Sequence, residues 1–519
     1  MSGFDWFFIV LYYINLVMVI LVTIGFLPQF LYYLFCWLPR KHFKPSEDFH
    51  KIAIYICAHD EAETISHTVE YLLHGLDYPQ DRYKVYVCAH NCKDDTAVKA
   101  RNAGAIVYEY QDENRKHRIV AYALKYLLSR ILKEDKESEV FVRFDADNIP
   151  CKSFLKEMNN SISAGCRIVR AYEAATNMKQ NVWTETCSIF SIKDSRAQNN
   201  FRQFCHMSTL APGPGMTCTR DVIEKMNGFD CDSGIEDVEF SMKRLFDGYK
   251  IYFNTDAIVY EDQPSSFEDT KNRMVRMGRA LNLVYFRHGW RMLVNFFRTG
   301  KPTYLDCLLQ VQFNPISVVC FTWFPFYYVF YAICMLIGMS GHPVFSDSFF
   351  TFNLYSLNNI FTLNPTANIV FTDISSGQLY ASYLGQRFLY NPITDGAFGV
   401  WASSQAFYGL LNMAWMVILG ISLFCIFQSY IVLLLDHHKL GLPASLRGMW
   451  KGILLSPVYS LIYGFCNFLG LLVRPKWKIA RRNMKASNIL LPVPEKPDKR
   501  QYLVIKEKEL RKYSGAWWK

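Results

Sequence analysis

Charge is missing over one long stretch. No Asp, Glu, Lys or Arg lies between Asp5 and Arg40, and that run exceeds the ~20 apolar residues needed to cross a bilayer. A cleaved secretory signal has a basic start, a shorter apolar core and a small-residue cleavage site, whereas this segment runs on into Leu34, Phe35, Cys36 and Trp37. It therefore reads as an uncleaved anchor over 1–40. Lys and Arg are also lacking on its amino-terminal side and appear at once after it, at Arg40, Lys41 and Lys44. The positive-inside rule then places the domain beyond the anchor in the cytoplasm, and the chain in the cell membrane. Paired cysteines are lacking too. Cys88 and Cys92 stand four apart with no second pair nearby, which argues against a zinc site, and the expected external loop at 341–404 has no cysteine to staple it. The formal charge of +10 meets no nucleic-acid-binding pattern. Much of that excess flanks apolar segments, where attraction to anionic lipid accounts for it. Membrane lipids are expected partners and nucleic acid is not.

With 519 residues, 51% of them hydrophobic, the chain has room for one large soluble domain and a membrane region. Short apolar runs rich in β-branched residues, at 52–57, 85–89, 105–108 and 140–144, alternate with helical patterns at 61–73, 95–103 and 119–132. Strands and helices in alternation make a mostly parallel sheet covered on both faces, with ligands at the carboxyl ends of the strands. His59, Asp60 and Glu61 end the first strand, Asn91 to Asp94 follow the second, and Asp145 and Asp147 end the fourth. A strand that stops in two carboxylates one residue apart, before Pro150, is how nucleotide-sugar enzymes hold a divalent metal against a diphosphate. Oxygen-only ligands suit Mg2+ or Mn2+. The alternative is a solvated turn, since aspartates are common there.

Five stretches in order carry a resemblance: Ile56 to Glu61, Asn91 to Thr96, Phe144 to Pro150, Pro212 to Met216, and Gly234 to Asp237. With them, residues 51–280 resemble a family 2 glycosyltransferase of the membrane-embedded polysaccharide synthase group, relatives of cellulose, chitin and hyaluronan synthases. The resemblance implies an α/β fold, a GT-A-type cytoplasmic domain inserted between transmembrane and interfacial helices. It implies a metal at Asp147 with Asp145 beside it, and a nucleotide-sugar held by Ala58, Glu61, Asp94, Asp145 and Arg276. Asp237 would be the general base, because an acceptor hydroxyl is a poor nucleophile until a carboxylate takes its proton, and Glu236 would orient or tune it. Gly213 and Gly215 would let the backbone approach the sugars, with Met277 also on the acceptor side. For Asp94, and for Glu236 and Asp237, helix capping is the competing role.

Departures from the family pattern fall on the acceptor side. Where the family has Gln-x-x-Arg-Trp, this chain has Arg273, Met274, Val275, Arg276 and Met277. Arg276 is kept and the stacking tryptophan is not, which counts against gripping a long polymer. Arg273, Arg276 and Arg279 share one helical side and suit either phosphate or a basic interfacial face. Ile235 replaces the family's threonine, a Gly-Lys near the third strand is missing, and Lys116 or Arg118 is left as its substitute.

The expected organisation is an anchor at 1–40, the glycosyltransferase domain at 41–270, amphipathic interfacial helices at 271–310 and a transmembrane helix at 311–340. An extracellular loop at 341–404, transmembrane or interfacial helices at 405–475 and a basic cytoplasmic tail at 476–519 complete it. A fourth apolar segment, 453–473, counted as a full crossing would carry that tail outside, against Arg474, Lys476 and Lys478. The leading expectation is an inverting transferase moving a sugar from a UDP-sugar, with glucose first, to a cell-surface or capsular polysaccharide. Single addition to a lipid-linked acceptor, or a non-catalytic membrane scaffold, are the rivals.

Overall fold

A computed structural model describes residues 2–114, 119–211, 213–311, 316, 318–347, 370–372, 379–383, 386–473 and 501–502. Lys116, Arg118, Pro212, the loop residues 348–369, 373–378 and 384–385, and nearly all of the basic tail lie outside the described residues. The chain divides into two compact units, one of Met1–Leu27 with Phe313–Cys425, the other of Pro28–Gln312 with Ile426–Lys519.

The first unit is built on helix. α1 (Gly3–Leu34) contributes its first part, and an aromatic core gathers Phe8, Tyr327, Tyr331, Phe345 and Trp401. The Phe8 and Phe345 rings meet edge-on at 5.0 Å, a geometry that sets a positive ring edge on a negative face. Among the described residues, four helical segments are long and apolar enough to cross a membrane: Gly3–Leu34, Val319–Met339, Phe398–Asp436 and Trp450–Leu472.

The second unit holds an eight-stranded sheet. Its strands are β1 (Ile52–Ala58), β2 (Tyr83–His90), β3 (Ile106–Tyr110), β4 (Val140–Asp145), β5 (Ile149–Pro150), β6 (Ile168–Ala175), β7 (Thr217–Thr219) and β8 (Ile251–Glu261). They lie in the order β3-β2-β1-β4-β7-β6-β8-β5. The first four are parallel, as the alternating pattern predicts. β7 then runs antiparallel between β4 and β6, so the sheet is mixed. Helices α2 (Ile65–His74), α3 (Thr96–Asn102), α4 (Val120–Glu134) and α5 (Phe154–Ser163) connect these strands. Their apolar faces give the sheet its two cores: Ile65, Val69 and Leu72 on one side, Leu124, Leu127 and Leu128 on the other.

Chain order reverses direction between β1 and β4. β1 continues outward through β2 and β3, and the chain then crosses back to place β4 on β1's other side. A crevice forms at such a switch point, outside the carboxyl ends of the two strands. Register sets Cys57 opposite Asp145 and Ala58 opposite Ala89, which puts the loops after β1, β2 and β4 side by side.

Two boundaries differ from the sequence reading. α2 starts at Ile65 rather than Glu61, because Asp60 has φ +53° and the N–H groups of Glu61 and Ala62 bond to Thr96 and Asp94 instead. After α5 come α6 (Val182–Lys193), α7 (Asn200–Phe204), α8 (Arg220–Lys225), α9 (Glu236–Phe246) and α10 (Phe267–Thr299). α10 runs unbroken through the 270/271 boundary and takes in the amphipathic stretch 281–297. Ser266 starts it by accepting the Asp269 N–H at 3.1 Å, and Gly300 ends it at φ +63°. Toward the carboxyl end lie α11 (Pro302–Val311), α12 (Phe324–Met339), α13 (Phe398–Asp436) and α14 (Trp450–Leu472).

Candidate active site

The loops after β1 and β2 are knitted together by side chain to backbone bonds. Asp60 accepts the Lys93 N–H at 2.7 Å, and Asp94 accepts the Ala62 N–H at 3.1 Å. Asp94 also accepts the Thr96 N–H at 3.1 Å and so caps α3. Burial alone would raise the Asp94 carboxyl, and the bonds from Thr96 and Ala62 outweigh it, holding it below the ordinary value. Among the described residues, one group of three His, Cys, Asp or Glu side chains brings its ligand atoms within 4.8 Å: Asp60, Cys92 and Asp94. The bonds between the two loops account for that convergence.

The turn after β4 is pinned from beneath. Asn148, buried at 1% exposure, accepts the Asp145 N–H at 2.8 Å and donates to the Asp147 carboxylate at 3.2 Å. Thr68 on α2 donates to the Ala146 carbonyl at 2.7 Å. Asp145 is thereby left half-exposed at the strand end and Asp147 sits buried one residue on. Two carboxylates at one turn suit Mg2+ or Mn2+, with phosphate oxygens and water completing the shell. That is how Mg2+ is ordinarily held, by one or two carboxylates plus substrate phosphates.

Arg143 joins this turn to the second acidic pair. Its Nη2 donates to the Glu236 carboxylate at 2.7 Å and lies 3.6 Å from Asp145. Both partners of the first contact are almost fully buried, at 4% and 9% side-chain exposure. Burial would lower the Arg143 pKa, and Glu236 with Asp145 raise it above the ordinary value instead, so its charge is permanent. Glu236 and Asp237 open α9. Burial, then the Glu236 charge, push the Asp237 carboxyl up to about 6, against the pull of Arg143. A carboxylate that titrates close to neutrality is a stronger proton acceptor than an ordinary one. Farther along the sheet, burial raises Glu173 on β6 to about 7 against the pull of Arg170.

Residues 50–280 match the family model described as "Glycosyltransferase like family 2". They form a family 2 glycosyltransferase domain. Over 279 residues, 51% of this chain, the sequence is 26% identical to "Probable glycosyltransferase YdaM" of Bacillus subtilis (strain 168). The match spans 62% of that relative's length. Among solved structures, a mannosyltransferase of Pyrobaculum calidifontis, PcManGT, in complex with GDP-Man and Mn2+, is 17% identical with a TM-score of 0.42. It covers 57% of this chain and 80% of that one. Glucosyl-3-phosphoglycerate synthase of Mycobacterium tuberculosis, with Mn2+, UDP and phosphoglyceric acid, is 14% identical with a TM-score of 0.30, over 45% of this chain and 81% of that one. The sheet of this chain is mixed α/β, and what those enzymes bind is a property of theirs.

In this glycosyltransferase domain Glu61, Asp94, Asp145 and Asp147 stand on the adjacent loops at the ends of three parallel strands, and Arg143 ties Glu236 to Asp145. The Ala58 side chain is buried in the core beneath those loops. A Cβ on Gly213 would lie 3.2 Å from Arg143 Nη2, and one on Gly215 would lie 2.7 Å from Ala171 Cβ. Their missing side chains make room for Arg143 and Ala171. The three arginines of α10 do not act as one face. Arg273 is taken up by Glu261 at 2.9 Å and Gln263 at 3.2 Å, while Arg276 is exposed and Met277 half-buried. Arg143 was missed from sequence, although an arginine inside the run Val140 to Phe144 was its signal: a buried charge needs a partner.

Proposed function

We propose that the protein transfers a sugar from a UDP-sugar to a hydroxyl acceptor presented at a membrane, with inversion at the anomeric carbon. The observation that carries this is the Arg143 bridge, which sets the turn of Asp145 and Asp147 beside Glu236 and Asp237. In the reaction Asp237 takes the proton of the acceptor hydroxyl, and the freed oxygen forms the new bond to the anomeric carbon as the bond to the diphosphate breaks. Glu236, held by Arg143, stands beside Asp237 and strengthens it as a base. Asp147, with Asp145 beside it, would hold Mg2+ or Mn2+, which supplies charge against the departing diphosphate. Arg276, exposed on α10, would be a further diphosphate contact. Glu61 and Asp94, on the neighbouring loops, would face the uridine.

UDP-glucose is the leading donor and a cell-surface polysaccharide the leading product. The catalytic domain is proposed to be cytoplasmic, anchored by α1, α12 and α13. A lipid-linked acceptor is the second reading, favoured by the half-buried Met277 where a stacking tryptophan would grip a polymer. Purified protein is incubated with radiolabelled UDP-glucose, UDP-N-acetylglucosamine or UDP-galactose and Mn2+, and the product is sized. Turnover with one donor, abolished by EDTA and restored by Mn2+, is expected. Absence of turnover with every donor and acceptor rejects the enzymatic reading, and high-mass product rejects the lipid acceptor.

A further inference from the structure

α14 has the length and apolarity of a membrane crossing, but one of its faces is occupied by the charged catalytic unit along its whole length. At its start the Gly452 N–H donates to the Glu185 carboxylate of α6 at 2.7 Å. In its middle the Tyr459 hydroxyl meets Cys187 Sγ at 3.3 Å. Towards its end it fits α10 so closely that a Cβ on Gly278 would lie 2.7 Å from Asn467 Cα, and one on Gly470 would lie 2.5 Å from the Arg279 nitrogen. Over this stretch α10 carries Lys271, Arg273, Arg276 and Arg279, with Arg273 paired to Glu261. Were α14 to span the bilayer, its neighbour would carry those charges to hydrocarbon depth, where each is costly.

The opposite face of α14 is apolar and open. Trp450, Leu454, Leu461 and Leu472 are 47%, 60%, 63% and 68% exposed, and at 3.6 residues per turn they fall within about 40° of arc. Trp450 also stacks on Tyr430 near the end of α13, with ring centroids 5.7 Å apart, so this stripe continues from a candidate crossing. Acyl chains of one leaflet match a face that is apolar on one side only and adjoins the end of a membrane helix. Farther on, Gln501–Tyr502 pairs in parallel with Lys41–His42, directly after the anchor. The tail therefore returns to the catalytic unit.

Resting on the membrane-integrated reading, we propose that α14 lies embedded in the leaflet on the catalytic side without crossing it. Among the described residues the crossings are then α1, α12 and α13, and the positive-inside rule favours the catalytic side for a sequence carrying Arg474, Lys476 and Lys478. The test uses the full chain with an epitope after Lys519, in sealed right-side-out vesicles treated with protease and probed for the epitope and for the catalytic unit. Both are expected to survive together and to be lost together once detergent opens the vesicles. Loss of one with survival of the other places α14 across the bilayer and overturns the proposal while leaving membrane integration intact. Release of the chain from membranes by alkaline carbonate overturns the membrane-integrated reading, and the proposal with it.

Discussion

Arg143 and Glu236, 93 residues apart in sequence, form a buried ion pair at 2.7 Å. One end belongs to the strand that delivers Asp145 and Asp147, the other to the helix that delivers Asp237. Taking two charges out of water is costly, and the pair holds because each charge meets the other at hydrogen-bond distance. The donor turn and the base are in consequence positioned by a single contact.

Breaking that pair from one side is predicted to unfold more than a loop. Arg143→Met strands Glu236 as a buried carboxylate, and losses of this kind cost roughly 3–5 kcal/mol. In a domain of this size that lowers Tm by about 10 °C. Glu236→Gln in the same chain removes the stranded charge and is expected to recover part of the loss. Thermal unfolding of the single and double variants measures this, and an unchanged Tm in Arg143→Met would show that the pair does not hold the two elements.

Asp237 sets the pH profile. Its carboxyl is raised to about 6 by burial and by Glu236, so the base form predominates above that pH. Transfer should fall tenfold per unit as the pH drops below about 6. The sign for stability is opposite to that of a salt-bridged acid. The folded protein binds this proton more tightly than the unfolded chain, so the ionised carboxyl costs stability as pH rises from about 4 through 6. Asp237→Asn should therefore abolish transfer while keeping UDP binding, and gain Tm over the parent at pH 7 but not at pH 4. Retained transfer would remove Asp237 as the base.

Gly215 and Gly213 are predicted to respond differently to the same change. Gly215 has φ +69° and a Cβ there would meet Ala171 Cβ at 2.7 Å, so Gly215→Ala combines backbone strain of about 1–3 kcal/mol with overpacking. Gly213→Ala meets only the Arg143 guanidinium, at 3.2 Å. A smaller loss of Tm and a larger proportionate loss of transfer are expected, through displacement of Arg143 from Glu236. Equal Tm losses in the two variants would contradict this.

The local elements of the domain were legible in the sequence because their causes are local. Short apolar runs rich in β-branched residues gave β1 to β4, and helical periods gave α3 and α4 nearly to the residue. The second half of the sheet was not legible. β7 is three residues long and is a strand only because β4 and β6 flank it. α2 was placed four residues early, since Glu61 and Ala62 bond across to the loop after β2 rather than along their own chain. The acids of the site could be picked out one motif at a time, but spacing could not say that Arg273 is engaged by Glu261 and Gln263.

By itself the sequence determined the chemistry available: carboxylates at strand and helix ends, an uncharged run long enough to cross a membrane, and no tryptophan at Met277. Tertiary structure decided which groups act on one another. Arg143 is bound to Glu236 and lies against Gly213, and α14 rests on α10 rather than standing apart from it. The reason is physical. Hydrophobic period and capping act within a few residues, whereas desolvation and ion pairing depend on which distant segments the fold brings within a few ångströms.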